Sequence, residues 1–252
     1  STLMRSSAAS DVYKRQALEA AVSDKTKLLI INYPNNPTGQ ILTEADIQAL
    51  TVFLRKHPDI YVLSDEIYEK IVYDQKQIIS LASIPEFFDR VVIVNGFSKC
   101  SAMTGWRLGY LACNTAMYQV VLKLFQHSIS CTSGFLQRGA LTAMDCVEET
   151  EQMRQAYEKR KNLLVKGIHE IPGVELLTPA GAFYAWVKFD TDMDSETLCN
   201  DLLDKAKIAG VPGIAYGEED CVCIRFSFAA SEDVLRTMLE RLKTYQTTHN
   251  DL

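Results

Sequence analysis

Short, uninterrupted apolar runs alternate with segments of helical periodicity over the first half of the chain. The runs that predict buried strands lie at residues 26–32, 60–64, 90–95 and 106–113. The segment 43–57 repeats apolar residues at helical spacing. It begins with Thr43, followed three residues later by Asp46, which is close to a capping box. Strands that alternate with helices predict an α/β fold with a mostly parallel or mixed sheet covered on both faces.

The rhythm of the pattern changes in the second half of the chain. The predicted elements there are a long helix at about 135–170, strands at 183–189 and 221–228, and helices at 194–208 and from about 231. This order is typical of an α+β arrangement. We therefore expect residues 17–150 to belong to a large α/β domain and residues 151–252 to form a small C-terminal α+β domain.

Residues 1–16 share neither pattern. The segment STLMRSSAASDVYKRQ shows no helical or strand periodicity and resembles translated sequencing-adapter DNA. The alternative interpretation is a genuine disordered leader. In both cases we exclude these residues from the fold, and an artefact here would make the chain a fragment of a longer protein.

Composition and charge exclude several classes of protein. The formal net charge of -6 gives no positive field for nucleic acid, and no apolar run is long enough to cross a membrane. Seven scattered cysteines, an odd number, fit a reducing cytoplasm better than a disulfide framework. Cys221 and Cys223 lie on a predicted strand, where core packing is favoured over redox or metal chemistry because no second Cys/His pair has ligand spacing. We expect a cytoplasmic globular protein without a metal.

Polar side chains follow three of the predicted strands, at the edge where open α/β sheets bind ligands. They are Asn36 after the first strand, Asp65 and Tyr68 after the second, and Ser98 and Lys99 after the third, with Arg107 close behind. A lysine in a partly dry crevice beside an arginine is a usable nucleophile, because its charged form is disfavoured. Amines form Schiff bases with aldehydes, and pyridoxal phosphate requires such a lysine, a carboxylate for its ring nitrogen and a phosphate anchor.

Each segment also has an ordinary structural interpretation. A single lysine on a loop is usually a solvated charge, DEIY is typical of a helix start, and NNPTG is typical of a turn. The order and spacing of all the segments together favour the cofactor site.

The segments NYPNNPTG, SDEIYEKIVYD and NGFSKCSAMTGWRLGY, in this order, resemble the signature of class I and II aminotransferases with the type I pyridoxal-phosphate fold. The resemblance is greatest to the branch that includes bacterial aspartate and aromatic aminotransferases. It extends from about residue 20 to the C-terminus. It implies transfer of an amino group between an amino acid and a 2-oxo acid by a homodimer, through a Schiff base with pyridoxal phosphate.

The matched motifs imply how the cofactor ring is held. Lys99 would form the Schiff base and then move the substrate proton, and Asp65 would pair with the ring nitrogen. Tyr68 and Asn36 would bond the phenolic oxygen of the ring.

The resemblance also implies a phosphate site and a substrate site. Arg107 and Ser98 would hold the phosphate, although Gly96 stands where the family often has a hydroxyl residue. Arg225 would grip the α-carboxylate of the substrate as a fork, and Asn36 is the second substrate-binding candidate.

Family members carry a further N-terminal third, which binds the phosphate and stacks on the pyridine ring. Without it the large domain is incomplete, and we expect an exposed sheet edge and apolar face in a chain that is poorly soluble and inactive alone. Two other functions stay open. A carbon–sulfur lyase would release pyruvate and ammonia without a 2-oxo acid acceptor, although the threonine of NNPTG disfavours that branch. An aminotransferase-like sensor domain of a transcription regulator would carry a basic helix-turn-helix upstream.

Overall fold

The computed structural model describes residues 11–249, which divide into two compact units. Unit 1 comprises residues 11–34 and 41–152, and unit 2 comprises residues 35–40 and 153–249. The domain boundaries expected from the sequence stay a prediction.

The predicted leader, residues 1–16, lies only partly within the described residues. Residues 1–10 lie outside the described residues. Residues 11–16 belong to the first helix, α1 (Asp11–Ala21), although the sequence shows no helical periodicity there. The origin of the segment stays a prediction.

Unit 1 is built on a four-stranded sheet. Its elements are α1, β1 (Leu28–Asn32), α2 (Glu44–Lys56), β2 (Tyr61–Asp65), β3 (Val91–Gly96), α3 (Phe97–Cys100), β4 (Gly109–Ala112), α4 (Thr115–Ser128), α5 (Gly134–Asp145) and the first turns of α6 (Val147–His169). The strand order is β1-β2-β3-β4, in which the first three strands run parallel and β4 runs antiparallel to β3. The predicted α/β class with a mostly parallel sheet is therefore confirmed.

Helix α2 begins where the sequence predicts it. The backbone N–H of Asp46 donates to the Thr43 hydroxyl, and the Asp46 carboxylate accepts from the backbone N–H of Thr43. Both halves of the capping box are thus present, which satisfies two otherwise unpaired donors at the helix start. The helix buries Leu50, Phe53 and Leu54 in the core of unit 1, together with inward residues of β1 and β2.

The face of β1 opposite the core is open to solvent. On β1 the side chains of Leu29 and Ile31 are buried in the core, whereas Leu28 and Ile30 on the opposite face are 49% and 46% exposed. The prediction that the sheet is covered on both faces is therefore wrong at β1. The exposed apolar face implied by an incomplete large domain is present.

Unit 2 contains an antiparallel sheet with flanking helices. Its elements are the remainder of α6, β5 (Val174–Leu177), β6 (Tyr184–Phe189), α7 (Ser195–Asp201), β7 (Val211–Pro212), β8 (Cys223–Ser227) and α8 (Glu232–His249). The strand order is β5-β6-β8-β7, and all three pairings are antiparallel. The core includes Val187, Ile224 and Phe228, each fully buried.

Three predicted elements are shorter than expected. The long helix at 135–170 is two helices, because Cys146 leaves helical geometry between α5 and α6. The helix at 194–208 ends as α7 at Asp201 and continues as a π-helical turn, Leu202–Ala206. The strand at 106–113 begins only at Gly109, because Arg107 has left-handed backbone geometry. Residues with poor helix propensity or special backbone angles thus interrupt an otherwise continuous pattern.

Within residues 11–249, no helix combines the length and apolar character needed to cross a membrane. The same residues contain no group of three or more His, Cys, Asp or Glu side chains placed to hold a metal ion.

Candidate active site

The carboxyl edge of the sheet in unit 1 carries Asp65 at the end of β2. Asp65 pairs in register with Asn32 of β1, whose side-chain amide donates to the Asp65 carbonyl at 3.3 Å. The Asp65 carboxylate accepts from the backbone N–H of Ile67 at 3.1 Å. Burial raises the pKa of Asp65, while the bonds from Ile67 and Asn32 oppose this rise. The carboxylate is thus desolvated at the sheet edge.

Lys99 and Tyr68 come together at the same edge. Lys99 lies in α3, which follows β3 directly, and its Nζ is 5.8 Å from the centroid of the buried Tyr68 ring. Because β2 and β3 are parallel neighbours, the segments that follow them begin at one edge of the sheet. The structure therefore brings the lysine amine and the phenol ring into one neighbourhood.

The packing around Gly96 accounts for glycine at the position, three before Lys99, where the family often has a hydroxyl residue. Gly96 pairs with Gly109 of β4, and a Cβ at Gly96 would lie 2.8 Å from the Cα of Gly109 and 2.9 Å from the Leu108 carbonyl oxygen. No side chain fits at that separation, so only glycine allows this approach of the two strands.

The loop between Ser98 and Arg107 is closed by Thr104. The Thr104 hydroxyl donates to the Ser98 carbonyl at 2.8 Å, and the Thr104 carbonyl accepts from Nη1 of Arg107 at 3.1 Å. Arg107 itself has φ 53° and ψ 44°. Thr104 thus connects the two residues that the sequence assigns to the phosphate.

A cavity of about 460 Å³ in unit 1 is lined by chain neighbours of these groups but not by the groups themselves. It is lined by residues around α3 and α6, among them Phe97, Cys100, Tyr110 and Glu151. Asp65, Lys99 and the other candidate residues do not line it, so we do not assign it to the candidate site.

Unit 2 places Arg225 in a polar and aromatic setting. Nη1 of Arg225, on β8, donates to Oδ1 of Asn36 at 2.8 Å. The guanidinium carbon lies 4.4 Å from the centroid of the Tyr184 ring and 5.3 Å from that of Tyr216. Nε of Arg225 is buried and makes no hydrogen bond within residues 11–249. Because a buried, unpaired N–H of a charged group is costly, this edge of the guanidinium suits an anion.

The turn NNPTG places Asn36 in unit 2. The Asn35 side-chain oxygen accepts from the hydroxyl and the backbone N–H of Thr38, at 2.6 and 3.0 Å. The Gly39 carbonyl accepts from the backbone N–H groups of Ala180 and Gly181, both at 2.8 Å. The turn is therefore anchored to the segment before β6.

The predicted site residues fall into two sets. Unit 1 contains Asp65, Tyr68, Ser98, Lys99 and Arg107, and unit 2 contains Asn36 and Arg225. The sequence analysis missed Thr104, Tyr184 and Tyr216, although both tyrosines lie in the region that resembles the aminotransferases. The predicted strand at 221–228 also needs correction, because Cys221 precedes β8 and only Cys223 lies in it.

The sheet architecture of the chain is that of the type I pyridoxal-phosphate enzymes, as its structural neighbours confirm. The chain belongs to the family of class I and II aminotransferases, whose sequence model matches residues 8–242. Members of this family depend on pyridoxal phosphate.

Relatives of the chain are named as aminotransferases. The aspartate aminotransferase of Musicola paradisiaca is 40% identical over 231 residues, which are 90% of this chain and 58% of that protein. The aromatic-amino-acid aminotransferase 2 of Thermococcus litoralis is 37% identical over 230 residues, covering 90% and 59%. The crystal structure of the aromatic aminotransferase from Pyrococcus horikoshii OT3 superimposes with a TM-score of 0.89 at 35% identity, covering 94% of this chain and 64% of that one. The chain thus spans about three fifths of the length of these relatives.

Proposed function

We propose that this chain supplies cofactor-binding and substrate-binding residues of an aminotransferase, which transfers an amino group between an amino acid and a 2-oxo acid. The observation that carries the proposal is the edge of the sheet in unit 1. There Asp65 ends β2, and the amine of Lys99 lies 5.8 Å from the Tyr68 ring. Membership of the aminotransferase family supports the same reaction.

Pyridoxal phosphate, when bound, supplies an aldehyde that condenses with amines and a pyridine ring that withdraws electrons from the α-carbon of the substrate. The donor set of unit 1 fits this group. Burial raises the pKa of Asp65, so its charge is poorly solvated, and a protonated ring nitrogen beside it would offset that loss. Tyr68 contributes a buried phenol as a hydrogen-bonding partner for the phenolic oxygen of the ring.

Lys99 has two tasks in this proposal. Its Nζ is the nucleophile that binds the cofactor. Once displaced by the amino group of the substrate, the same Nζ removes the proton from the substrate α-carbon and later returns it, as a general base and acid. The short helix α3 fixes where the amine emerges from the sheet edge.

Arg107 and Ser98 are the proposed phosphate ligands. The guanidinium of Arg107 supplies the charge, and the hydroxyl of Ser98 supplies a neutral donor. The hydrogen bonds through Thr104 hold the two residues at a fixed separation. Thr104 is therefore a positioning residue.

Arg225 is the proposed ligand of the substrate α-carboxylate. Asn36 accepts a hydrogen bond from Nη1, and the rings of Tyr184 and Tyr216 lie against the guanidinium. The remaining N–H groups are therefore left to bind a planar anion. The contact of Asn36 with the cofactor, expected from the sequence, stays a prediction.

Several finer expectations belong to the same proposal. A homodimer and a cytoplasmic location are supported by the family and by seven free cysteines. Loss of activity in the isolated 252-residue chain is supported by the exposed apolar residues of β1 and by the coverage of its relatives. We therefore choose a test that does not require turnover.

The test is chemical trapping. The chain is mixed with less than one equivalent of pyridoxal phosphate, reduced with borohydride and digested with trypsin. We expect the phosphopyridoxyl group on Lys99, in a peptide of residues 91–107 left uncut at that lysine. Lys123, which is exposed on α4, is the internal control, and Asp65→Asn should lower the labelling of Lys99. Equal labelling of Lys99 and Lys123 would contradict the proposed site.

In any preparation that shows turnover, a product assay distinguishes transamination from the carbon–sulfur lyase reaction. An aminotransferase converts an amino acid only when a 2-oxo acid acceptor is present. Ammonia released without an acceptor would instead assign the chain to the lyases.

A further inference from the structure

Two cysteines at the start of β8 lie in direct contact. Sγ of Cys221 and Sγ of Cys223 are 3.1 Å apart, so that one thiol donates a hydrogen bond to the other. Cys223 is the first residue of β8 and is 1% exposed, whereas Cys221 precedes the strand and is half-buried. A disulfide bond is about 2.05 Å long, so the two sulfurs need to approach by only about 1 Å to bond.

Cys221 is the accessible member of the pair. It lines a cavity of about 340 Å³ in unit 2, and Cys223 does not. The acidic side chains of the cavity wall are Asp194, Glu196, Glu218, Glu219 and Asp220. Negative charge repels anionic reagents and admits small neutral ones. A neutral oxidant in this cavity therefore meets Cys221 first, with Cys223 in contact with it.

Both thiols are held in the protonated form at neutral pH. Burial raises the pKa of Cys221, and burial together with the neighbouring Cys221 thiol raises the pKa of Cys223. Glu218 also raises both pKa values, and Lys188, whose amine is paired with Glu175, lowers them. The thiolate is the reactive form, so we expect oxidation of the pair to accelerate as the pH rises.

We propose that Cys221 and Cys223 form a modification site, at which hydrogen peroxide closes an intrachain disulfide. Sγ of Cys221 attacks one peroxide oxygen, the O–O bond breaks, and a sulfenic acid and one water form. Sγ of Cys223 then attacks the sulfur of Cys221, the S–S bond forms, and a second water leaves. The two thiols lose two electrons and two protons, and one peroxide is reduced to two waters. The disulfide lies two residues before Arg225.

The sequence makes this modification directly measurable. Residues 208–225 form one tryptic peptide that contains Cys221, Cys223 and no other cysteine. The full chain is treated with hydrogen peroxide, denatured, alkylated with iodoacetamide and digested without reductant. We expect this peptide to carry no alkyl group and to be lighter by two hydrogen atoms than its unmodified form. Dithiothreitol should restore two alkylation sites, and glutathione disulfide, an anion, should react more slowly than peroxide.

Single variants distinguish pairing from independent oxidation. Cys221→Ser leaves Cys223 without its partner, so Cys223 should take up iodoacetamide after the same peroxide treatment. Cys199→Ser, which removes another half-buried thiol of unit 2, should leave the loss of two hydrogens unchanged. The proposal is overturned if both cysteines of the wild-type peptide are alkylated under peroxide that has consumed the exposed thiol of Cys131.

Discussion

Nη1 of Arg225 donates to Oδ1 of Asn36 at 2.8 Å, while Nε of the same guanidinium is buried without a hydrogen bond in the described part of the chain. The two sides of the guanidinium therefore have different tasks. Asn36 fixes its orientation, and we propose that the edge with Nε binds the substrate carboxylate. A carboxylate fits such an edge because two parallel N–H donors match its two oxygens.

Replacing Arg225 with lysine should distinguish the effect of its two parallel N–H donors from the effect of its positive charge. Arg225→Lys keeps a positive charge but loses the planar pair of donors. If Arg225 binds an α-carboxylate as proposed, the affinity for glutamate, used as an α-carboxylate probe, should fall about 10- to 100-fold, as for the loss of a charge-assisted hydrogen bond. Calorimetric titration measures this change. Arg160→Lys is the matched control, because Arg160 also lies over a tyrosine ring, that of Tyr157, and should leave the affinity unchanged.

Gly39 is the position in the NNPTG turn where a side chain is least tolerated. Its φ is +69°, and a Cβ there would lie 2.8 Å from both the Pro179 Cβ and the Tyr184 carbonyl oxygen. Gly39→Ala should therefore lower the free energy of unfolding by about 2–5 kcal/mol, from left-handed strain plus overpacking.

Gly217 provides the control for Gly39. It has φ +78° but nothing within 4 Å of an added Cβ. Gly217→Ala should cost only the strain of about 1–2 kcal/mol. Urea denaturation measures both variants, and equal losses would show that the contacts of Gly39 with Pro179 and Tyr184 do not matter.

Much of this architecture is predictable from the sequence because the apolar residues repeat with the periods of strands and helices. The capping box at Thr43 was predictable from two residue types at a fixed spacing, and the structure forms it. Positions that depend on backbone exceptions were not predictable. The strand expected from residue 106 begins only at Gly109 because the backbone of Arg107 is left-handed. The apolar run 108–112 gives no sign of this backbone geometry.

The candidate site shows the same division. Lys99, Asp65 and Tyr68 stand at strand ends, where topology alone brings them to one edge. Thr104 contributes through one hydroxyl and one carbonyl, and such a bridge depends on the loop conformation rather than on a residue pattern. The aromatic cover of Arg225 likewise comes from separate segments of unit 2, which a linear pattern does not connect.

Tyr33 should make the stability of the chain fall at high pH. Burial, with a smaller contribution from Asp46, raises the pKa of Tyr33 to about 12. Below about pH 10, the ordinary pKa of tyrosine, the hydroxyl is protonated in both the folded and the unfolded chain. Its contribution to the free energy of unfolding is therefore fully present there. Between that pH and the raised pKa only the unfolded chain ionises, which favours unfolding by up to about 2–3 kcal/mol.

Tyr33→Phe removes this ionisation. We expect the unfolding free energy of the variant, measured in urea from neutral pH to about pH 11, to fall less steeply than that of the wild type. Other tyrosines titrate in both proteins and cancel in the comparison. Tyr61→Phe removes a hydroxyl from an exposed ring and should retain the wild-type slope. Parallel slopes for wild type and Tyr33→Phe would contradict the burial argument.

Thr104 should affect binding of the cofactor phosphate more than binding of the cofactor ring. Thr104→Val removes the hydroxyl that donates to the Ser98 carbonyl but keeps the carbonyl that accepts from Arg107. We expect about a 5-fold loss of affinity for pyridoxal phosphate, as for one neutral hydrogen bond, and no change for pyridoxal, which lacks the phosphate. Thr104→Ser keeps the hydroxyl and should bind both as the wild type does. Spectrophotometric titration gives the four dissociation constants for the two variants, and an equal loss for both ligands in Thr104→Val would assign Thr104 to general stability rather than to the phosphate.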